Sequence, residues 1–89
     1  LLVLNPRSAE AYNTKGNIFL NAGEYGKAVE AYQKAEDLDG EDGGIKINMS
    51  IAYYRGGELS SARNKYQQAL QQHPELAQRY ASLGSLLTN

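Results

Sequence analysis

The sequence predicts an all-α protein, an α-solenoid of antiparallel helix pairs built from 34-residue repeats. The repeat is visible as identical residues at that spacing: Gly23, Glu24, Ala28, Tyr32 and Ala35, then Gly57, Glu58, Ala62, Tyr66 and Ala69. Within each unit, apolar and small residues follow the i, i+4, i+7 spacing of an amphipathic helix, and no segment alternates as a strand does. Because the loops are short, successive helices have to be antiparallel neighbours.

Five helices are expected along the chain, over about residues 9–22, 26–38, 44–56, 60–72 and 76–88. Ser8 is placed to cap the first helix, and Gly23 to end it in the left-handed conformation. The fourth helix ends before Pro74, because the residue preceding a proline disfavours the helical conformation.

Small residues predict where the two helices of a unit approach most closely. Gly16 and Ala28 are assigned to this contact in the first unit, and Ser50 and Ala62 in the second. A larger side chain would separate the helix axes beyond the usual ~8–10 Å.

The positions of these small and aromatic residues resemble the tetratricopeptide repeat. The matching residues are Tyr12, Gly16, Phe19, Ala28, Tyr32 and Ala35 in one unit, and Ser50, Tyr53, Ala62, Tyr66, Ala69 and Pro74 in the next. The resemblance implies a right-handed superhelix whose concave face, lined by the first helix of each pair, holds a peptide. It therefore implies a non-catalytic protein–protein interaction scaffold.

The register divides the chain, treated as a single domain over residues 1–89, into complete and partial units. Residues 9–42 and 43–76 are two full repeats, 1–8 the tail of a preceding repeat, and 77–89 the first helix of a further one. Repeat arrays end in polar caps, and neither end has one. We therefore expect either a fragment of a longer array or self-association through the uncapped ends.

Three positions depart from the family pattern. Lys15 replaces an apolar residue, and Lys46 replaces the early aromatic residue, which we expect to weaken packing between the first and second units. Gly43 and Gly44 open the third helix, each costing about 1 kcal/mol relative to alanine. We expect the start of this helix to fray or shift.

Composition excludes several classes of function. Nine Lys and Arg against ten Asp and Glu give a net charge of −1, which predicts no nucleic-acid or membrane-surface partner. There is no cysteine, and the lone histidine, His73, is interpreted as a solvated turn residue. The acidic stretch 36–42 lacks the ligand spacing of a calcium loop. The sequence predicts no enzyme, no metal and no cofactor.

The concave face follows from the helical period. If residues 12, 16 and 19 face the partner helix, a second stripe lines the groove: Asn13, Thr14, Asn17, Leu20 and Asn21, then Ile47, Asn48, Ile51, Tyr54 and Arg55, then Ala81, Ser82, Ser85 and Thr88 with Gln78 at the rim. The asparagines suit a peptide backbone, since each offers a donor and an acceptor. The alternatives are solvated polar residues and, for the apolar ones, packing between neighbouring first helices.

One branch of the family can be tested against this register. Its members clamp chaperone C-terminal carboxylates with two asparagines and three cations. Asn17 and Asn48 fill the asparagine sites, whereas Asn13, Gln78 and Ser82 occupy the cation sites. We therefore expect no binding of chaperone tails. Beside peptide docking, a structural self-assembly module and an accessory part of a larger repeat protein remain as alternatives.

Overall fold

The computed structural model describes residues 8–88, with side chains through Leu87. In this part of the chain the only regular secondary structure is helical, without a strand. Its helices are α1 (Ala9–Asn21), α2 (Tyr25–Leu38), α3 (Gly43–Arg55), α4 (Leu59–Gln72), α5 (Leu76–Arg79) and α6 (Ala81–Thr88). The main packing pairs are α1 with α2, α2 with α3, and α3 with α4. The predicted all-α solenoid is thus confirmed, while the expected tail at residues 1–8 falls almost entirely outside the described residues.

The turns inside the two helix pairs are alike, and they lie one repeat apart in the sequence. Gly23 and Gly57 have φ of 78° and 85°, a conformation that glycine adopts without steric cost. The following amide closes each turn: Glu24 N–H donates to the Phe19 carbonyl at 2.9 Å, and Glu58 N–H to the Tyr53 carbonyl at 2.8 Å. These are the bonds of a Schellman helix end, so the sequence repeat is also a repeat of backbone geometry.

The core consists of two clusters of buried side chains. The first contains Ala28, Tyr32, Ala35, Ile45, Met49 and Ala52. The second contains Ile47, Ala62, Tyr66, Ala69 and Leu87. Tyr53 packs against both clusters and so joins them.

The predicted close contacts within the helix pairs take two different forms. Ser50 Oγ donates to the Ala62 carbonyl at 2.7 Å, as expected from two small residues facing each other. Gly16 is buried beside the ring of Tyr32: a Cβ added at Gly16 would lie 2.5 Å from Tyr32 Cδ1. Glycine is therefore required there by an aromatic side chain.

The third helix begins at Gly43, one residue before its predicted start. Asp42 caps it by accepting a hydrogen bond from Gly44 N–H at 2.8 Å. A Cβ at Gly43 would lie 2.7 Å from His73 Cδ2 and 2.9 Å from Leu76 Cδ1. Glycine here makes room for the turn that follows α4, which accounts for a poor helix former at this position.

The prediction of one continuous fifth helix is wrong. Tyr80, with φ −117° and ψ 35°, separates α5 from α6. The Tyr66 hydroxyl lies 3.4 Å from the Tyr80 carbonyl, at the break. The two short helices bring Leu76 and Leu87 to the same core cluster, and Arg63 Nε donates to the Leu87 carbonyl.

Lys46 lies in a buried ionic cluster between the two units. Its side chain is 7% exposed, its Nζ donates to the Gly40 carbonyl at 2.7 Å, and it lies 3.3 Å from Glu36 Oε2. Lys65 Nζ contacts Glu36 Oε1 at 2.8 Å. One carboxylate of α2 is thus held by lysines from α3 and α4, where the sequence pattern had indicated only weakened packing.

We expect Gly16→Ala to destabilise the fold by about 1–3 kcal/mol, because the new methyl group displaces the Tyr32 ring in a packed core. Gly26→Ala is the matched control, since a Cβ at Gly26 meets no atom within 4 Å. This control should gain about 0.4–1 kcal/mol by restricting the unfolded chain. Urea unfolding followed by circular dichroism measures both. Equal effects of the two substitutions would contradict the assignment.

We expect the contribution of Glu36 to stability to disappear in acid. Burial by itself raises the pKa of Glu36, but the hydrogen bond and charge of Lys65, with those of Lys46, outweigh burial and hold the pKa below its ordinary value. A lowered folded-state pKa gives stability that is present above the ordinary carboxyl pKa, ~4.3, and lost as pH falls through the folded value.

The measurement compares the unfolding free energy of wild type and Glu36→Gln at pH 7 and pH 3. Glu36→Gln should cost about 1.5–3 kcal/mol at pH 7, as loss of a hydrogen bond between charged groups does, and much less at pH 3. Glu58→Gln, at an exposed position, is the control and should change little at either pH. A cost for Glu36→Gln that is the same at both pH values would refute the account.

Candidate peptide-binding face

The first helices of the two units meet through a pair of asparagines. Asn48 Nδ2 on α3 donates to Asn13 Oδ1 on α1 at 3.0 Å, across 35 residues of sequence. Two members of the predicted stripe therefore lie side by side on adjacent helices. Because each amide has a second polar group, the bond leaves Nδ2 of Asn13 and Oδ1 of Asn48 to bind another partner.

A third asparagine is joined to the core by a tyrosine of the second helix. The hydroxyl of Tyr32 on α2 donates to Asn17 Oδ1 on α1 at 2.5 Å. The ring of Tyr32 is fully buried and lies against Gly16. Because Gly16 has no side chain, the ring can pass beside α1 and its hydroxyl can reach Asn17. Burial raises the pKa of Tyr32 to about 12, despite the lowering effect of the Arg55 charge. The hydroxyl thus stays protonated at neutral pH and remains a donor.

Sequence reasoning missed the role of Tyr32 at this surface. The sequence assigns Tyr32 only to the repeat pattern of the second helix, and that pattern carries no information about where its hydroxyl lies. The sequence did contain one indication of this contact, the glycine at position 16. Its small size indicates a bulky neighbour, but it does not show that the neighbour's hydroxyl reaches Asn17. We name Asn13, Asn17, Asn48 and Arg55, with the Tyr32 hydroxyl, the asparagine face.

The apolar members of the predicted groove separate into two groups. Ile47 is 0% exposed and belongs to the second core cluster, so its assignment to the groove surface is wrong. The face of α3 that carries Ile47 is covered by α4 and α6. Leu20, Ile51 and Tyr54 are half-buried and pack against the core clusters while keeping part of their surface accessible.

The remaining predicted groove residues are mostly exposed but not joined to the asparagines. Thr14, in the middle of α1, and Asn21, at its end, are exposed. Arg55 is exposed at the end of α3 and belongs to the asparagine face through its charge, which lowers the pKa of Tyr32. On the last two helices, the exposed predicted residues are Gln78, Ala81, Ser82 and Ser85. Within residues 8–87, no hydrogen bond links any of these four to Asn13, Asn17 or Asn48. The side chain of Thr88 lies outside the described residues.

His73 lies in the turn after α4, as the sequence suggested, with its side chain 36% exposed, but it also makes specific contacts. Its Nε2 lies 2.7 Å from the Glu41 carbonyl and its Nδ1 3.5 Å from Glu75, and the ring packs against Gly43. It connects the turn after α2 to the turn after α4. Among the described residues, no group of three His, Asp or Glu side chains is arranged to hold a metal ion. None of the described helices has the length and apolar character needed to cross a membrane.

Known proteins resemble this chain along most of its length. A photosystem I assembly protein, Ycf3, of Synechococcus sp. (strain CC9902) is 40% identical over 80 residues, covering 84% of this chain and 46% of the relative. The TPR repeat-containing protein MJ1428 of Methanocaldococcus jannaschii is 34% identical over 64 residues, covering 72% of this chain and 11% of the relative. The small glutamine-rich tetratricopeptide repeat-containing protein 2 of Mycosarcoma maydis is 33% identical over 79 residues, covering 89% of this chain and 22% of the relative.

The chain spans less than half the length of each of these three relatives. The tetratricopeptide repeat family itself matches residues 9–42, the segment that contains α1 and α2. The structure agrees with this match in two ways. The turns at Gly23 and Gly57 have the same geometry one repeat apart, and the helices pack as successive pairs. Residues 9–42 therefore match the tetratricopeptide repeat, and the described part of the chain is an α-solenoid consistent with that family.

Proposed function

We propose that the chain is a non-catalytic scaffold that docks an extended peptide segment of another protein on the asparagine face. Tetratricopeptide repeats are protein–protein interaction modules, which gives the class of partner. The hydrogen bond between Asn13 and Asn48 supports the asparagine face as the docking surface, because it holds two asparagines of adjacent first helices side by side.

The geometry of that bond suits a peptide backbone. The bond uses Asn13 as an acceptor and Asn48 as a donor, which leaves the NH2 group of Asn13 as a donor and the carbonyl oxygen of Asn48 as an acceptor. An extended peptide presents alternating C=O and N–H groups, so it can bond to both asparagines irrespective of its side chains. Since Asn48 also bonds to Asn13, its side chain is ordered before a peptide arrives, which reduces the entropy lost on binding.

Selectivity for peptide side chains would come from the end of α3. Tyr54 is half-buried and Arg55 is exposed, in adjacent positions. Tyrosine and arginine are the residue types that most often carry interface energy. Arg55 favours a peptide with an acceptor group at this end, and Tyr54 offers an aromatic surface beside it.

The relatives narrow the role that such docking would serve. Several of them are named as photosystem I assembly proteins, at 32–40% identity. By analogy, this chain would hold a segment of a client subunit while a larger protein complex is assembled. The self-assembly alternative is association through the two ends of the chain rather than through the asparagine face.

Peptide selection tests the asparagine face directly. Phage-displayed random 12-residue peptides are selected on the wild-type chain, and the enriched peptides are synthesised and titrated by fluorescence polarisation. The double variant Asn13→Ala/Asn48→Ala should bind them about tenfold more weakly, because two hydrogen bonds worth about 0.5–1.5 kcal/mol each are lost.

Asn64→Ala is the matched control, because Asn64 is an exposed asparagine on α4, away from the asparagine face. It should bind the selected peptides as wild type does. Circular dichroism establishes that all three proteins are folded. If the double variant and the control bind equally well, or if no peptide is enriched on wild type, the proposed function is wrong.

A further inference from the structure

The outer face of α2 carries four charged residues of alternating sign. Lys27, Glu30, Lys34 and Asp37 follow one another at i, i+3, i+7 and i+10, and all four are exposed. This spacing keeps them on one side of the helix, about 15 Å from end to end at 1.5 Å per residue. We name these four residues the α2 charge stripe.

The order of charges makes the α2 charge stripe complementary to itself. A second copy of α2 can lie antiparallel to the first, with the two helices crossing at the level of residue 32. Lys27 of each copy then meets Asp37 of the other, and Glu30 meets Lys34. The two-fold symmetry repeats both pairs, which gives four ion pairs and no directly opposed pair of like charges. A parallel copy in register would instead oppose each charge with its own sign.

Partly exposed aromatic rings flank the stripe on both sides. On one side a cleft of about 220 Å3 is lined by Tyr12, Lys15 and Phe19 together with α2 residues of the stripe. Lys27 Nζ lies 5.8 Å from the Phe19 ring centre, and Lys34 Nζ lies 5.6 Å from that of Tyr12. On the other side, Val29 and Tyr53 line a second cleft beside Glu30, Lys34 and Asp37.

An antiparallel copy of α2 would cover these apolar surfaces as well as pair the charges. Under the two-fold axis each cleft faces the same cleft of the partner, so Tyr12 and Phe19 of both copies approach one another. Burial of aromatic surface supplies the attraction that exposed ion pairs alone lack, since such pairs contribute only about 0–1 kcal/mol each. The charges then set the orientation.

We propose that the chain forms a closed two-fold dimer through the α2 charge stripe, with a second copy as the occupant of this face. Stacking of one end of the molecule on the other is disfavoured, because residues 76–87 of α5 and α6 contain no Asp or Glu to pair with Lys15, Lys27 and Lys34. The α2 charge stripe shares no residue with the asparagine face. Each dimer would therefore present two peptide-binding faces.

Sedimentation velocity over a concentration series tests the dimer. The wild-type chain should change with concentration from 9.8 kDa to twice that mass and no further. Raising NaCl from 50 to 500 mM should weaken the dimer about tenfold, because the ion pairs are screened.

Paired charge reversals test the register. Lys27→Glu/Lys34→Glu makes all four positions acidic, and Glu30→Lys/Asp37→Lys makes all four basic. Each variant alone should be monomeric, and an equimolar mixture should form a heterodimer at least as strong as the wild-type dimer. Glu10→Lys/Glu58→Lys, which reverses two exposed charges elsewhere, changes the net charge by the same amount as the basic variant. It should give no comparable heterodimer with the acidic variant.

Three results would overturn the dimer: wild type that stays monomeric up to millimolar concentration, open-ended growth beyond two copies, or equal pairing of the acidic variant with the basic variant and with the control. Circular dichroism confirms that each variant is folded, and the heterodimer itself reports that both partners fold. These results are independent of peptide binding, so a failed dimer leaves the asparagine face unaffected.

Discussion

The Tyr32 side chain fixes the relation between the first three helices. Its ring is buried against the bare backbone of Gly16, its base belongs to the cluster formed with Ile45 and Met49, and its hydroxyl ends at Asn17. One side chain of α2 thus contacts α1 and packs with the residues of α3. Because a polar group inside a core is costly unless it is bonded, the Asn17 contact determines where the ring can lie. The asparagine face depends on this arrangement, since Asn17 is held from beneath by the same side chain that packs the core.

Charge and packing divide the contact between the two repeats. Apolar residues of α2 and α3 form the first core cluster, while Glu36 is held by Lys46 and Lys65 from the following pair of helices. A buried ion pair contributes little net energy compared with apolar groups of the same size, but removal of one partner leaves an uncompensated charge. The cluster therefore specifies how the repeats align more than it raises their stability.

The periodicity of the sequence was sufficient for the fold and for part of the candidate site. A regular period places equivalent residues in equivalent helices, which gave the helix pairs, the Ser50–Ala62 contact and the proximity of Asn13 to Asn48. It could not give contacts that depend on the third unit. Ile47 was assigned to the surface because the period alone does not show that Ile47 shares a buried cluster with Leu87 of α6.

Irregular features were beyond the pattern for a similar reason. The break at Tyr80 lies beside the Tyr66 hydroxyl, and Gly43 is required by the ring of His73, which belongs to the turn after α4 and is distant in sequence. Neither interaction leaves a local signature such as a proline or a cap. The sequence identifies Gly43 as a poor helix former, but the reason for glycine there depends on His73, which lies where a side chain at position 43 would be.

The central claim is that Tyr32 couples the core to the asparagine face through Asn17. A double-mutant cycle with Tyr32→Phe and Asn17→Ala, read from urea unfolding, measures that coupling most directly. The account predicts a coupling free energy of about 0.5–1.5 kcal/mol, the value of one hydrogen bond, and side-chain amide signals of Asn17 that shift in Tyr32→Phe. Strictly additive effects of the two substitutions, with the Asn17 amide signals unchanged, would contradict it.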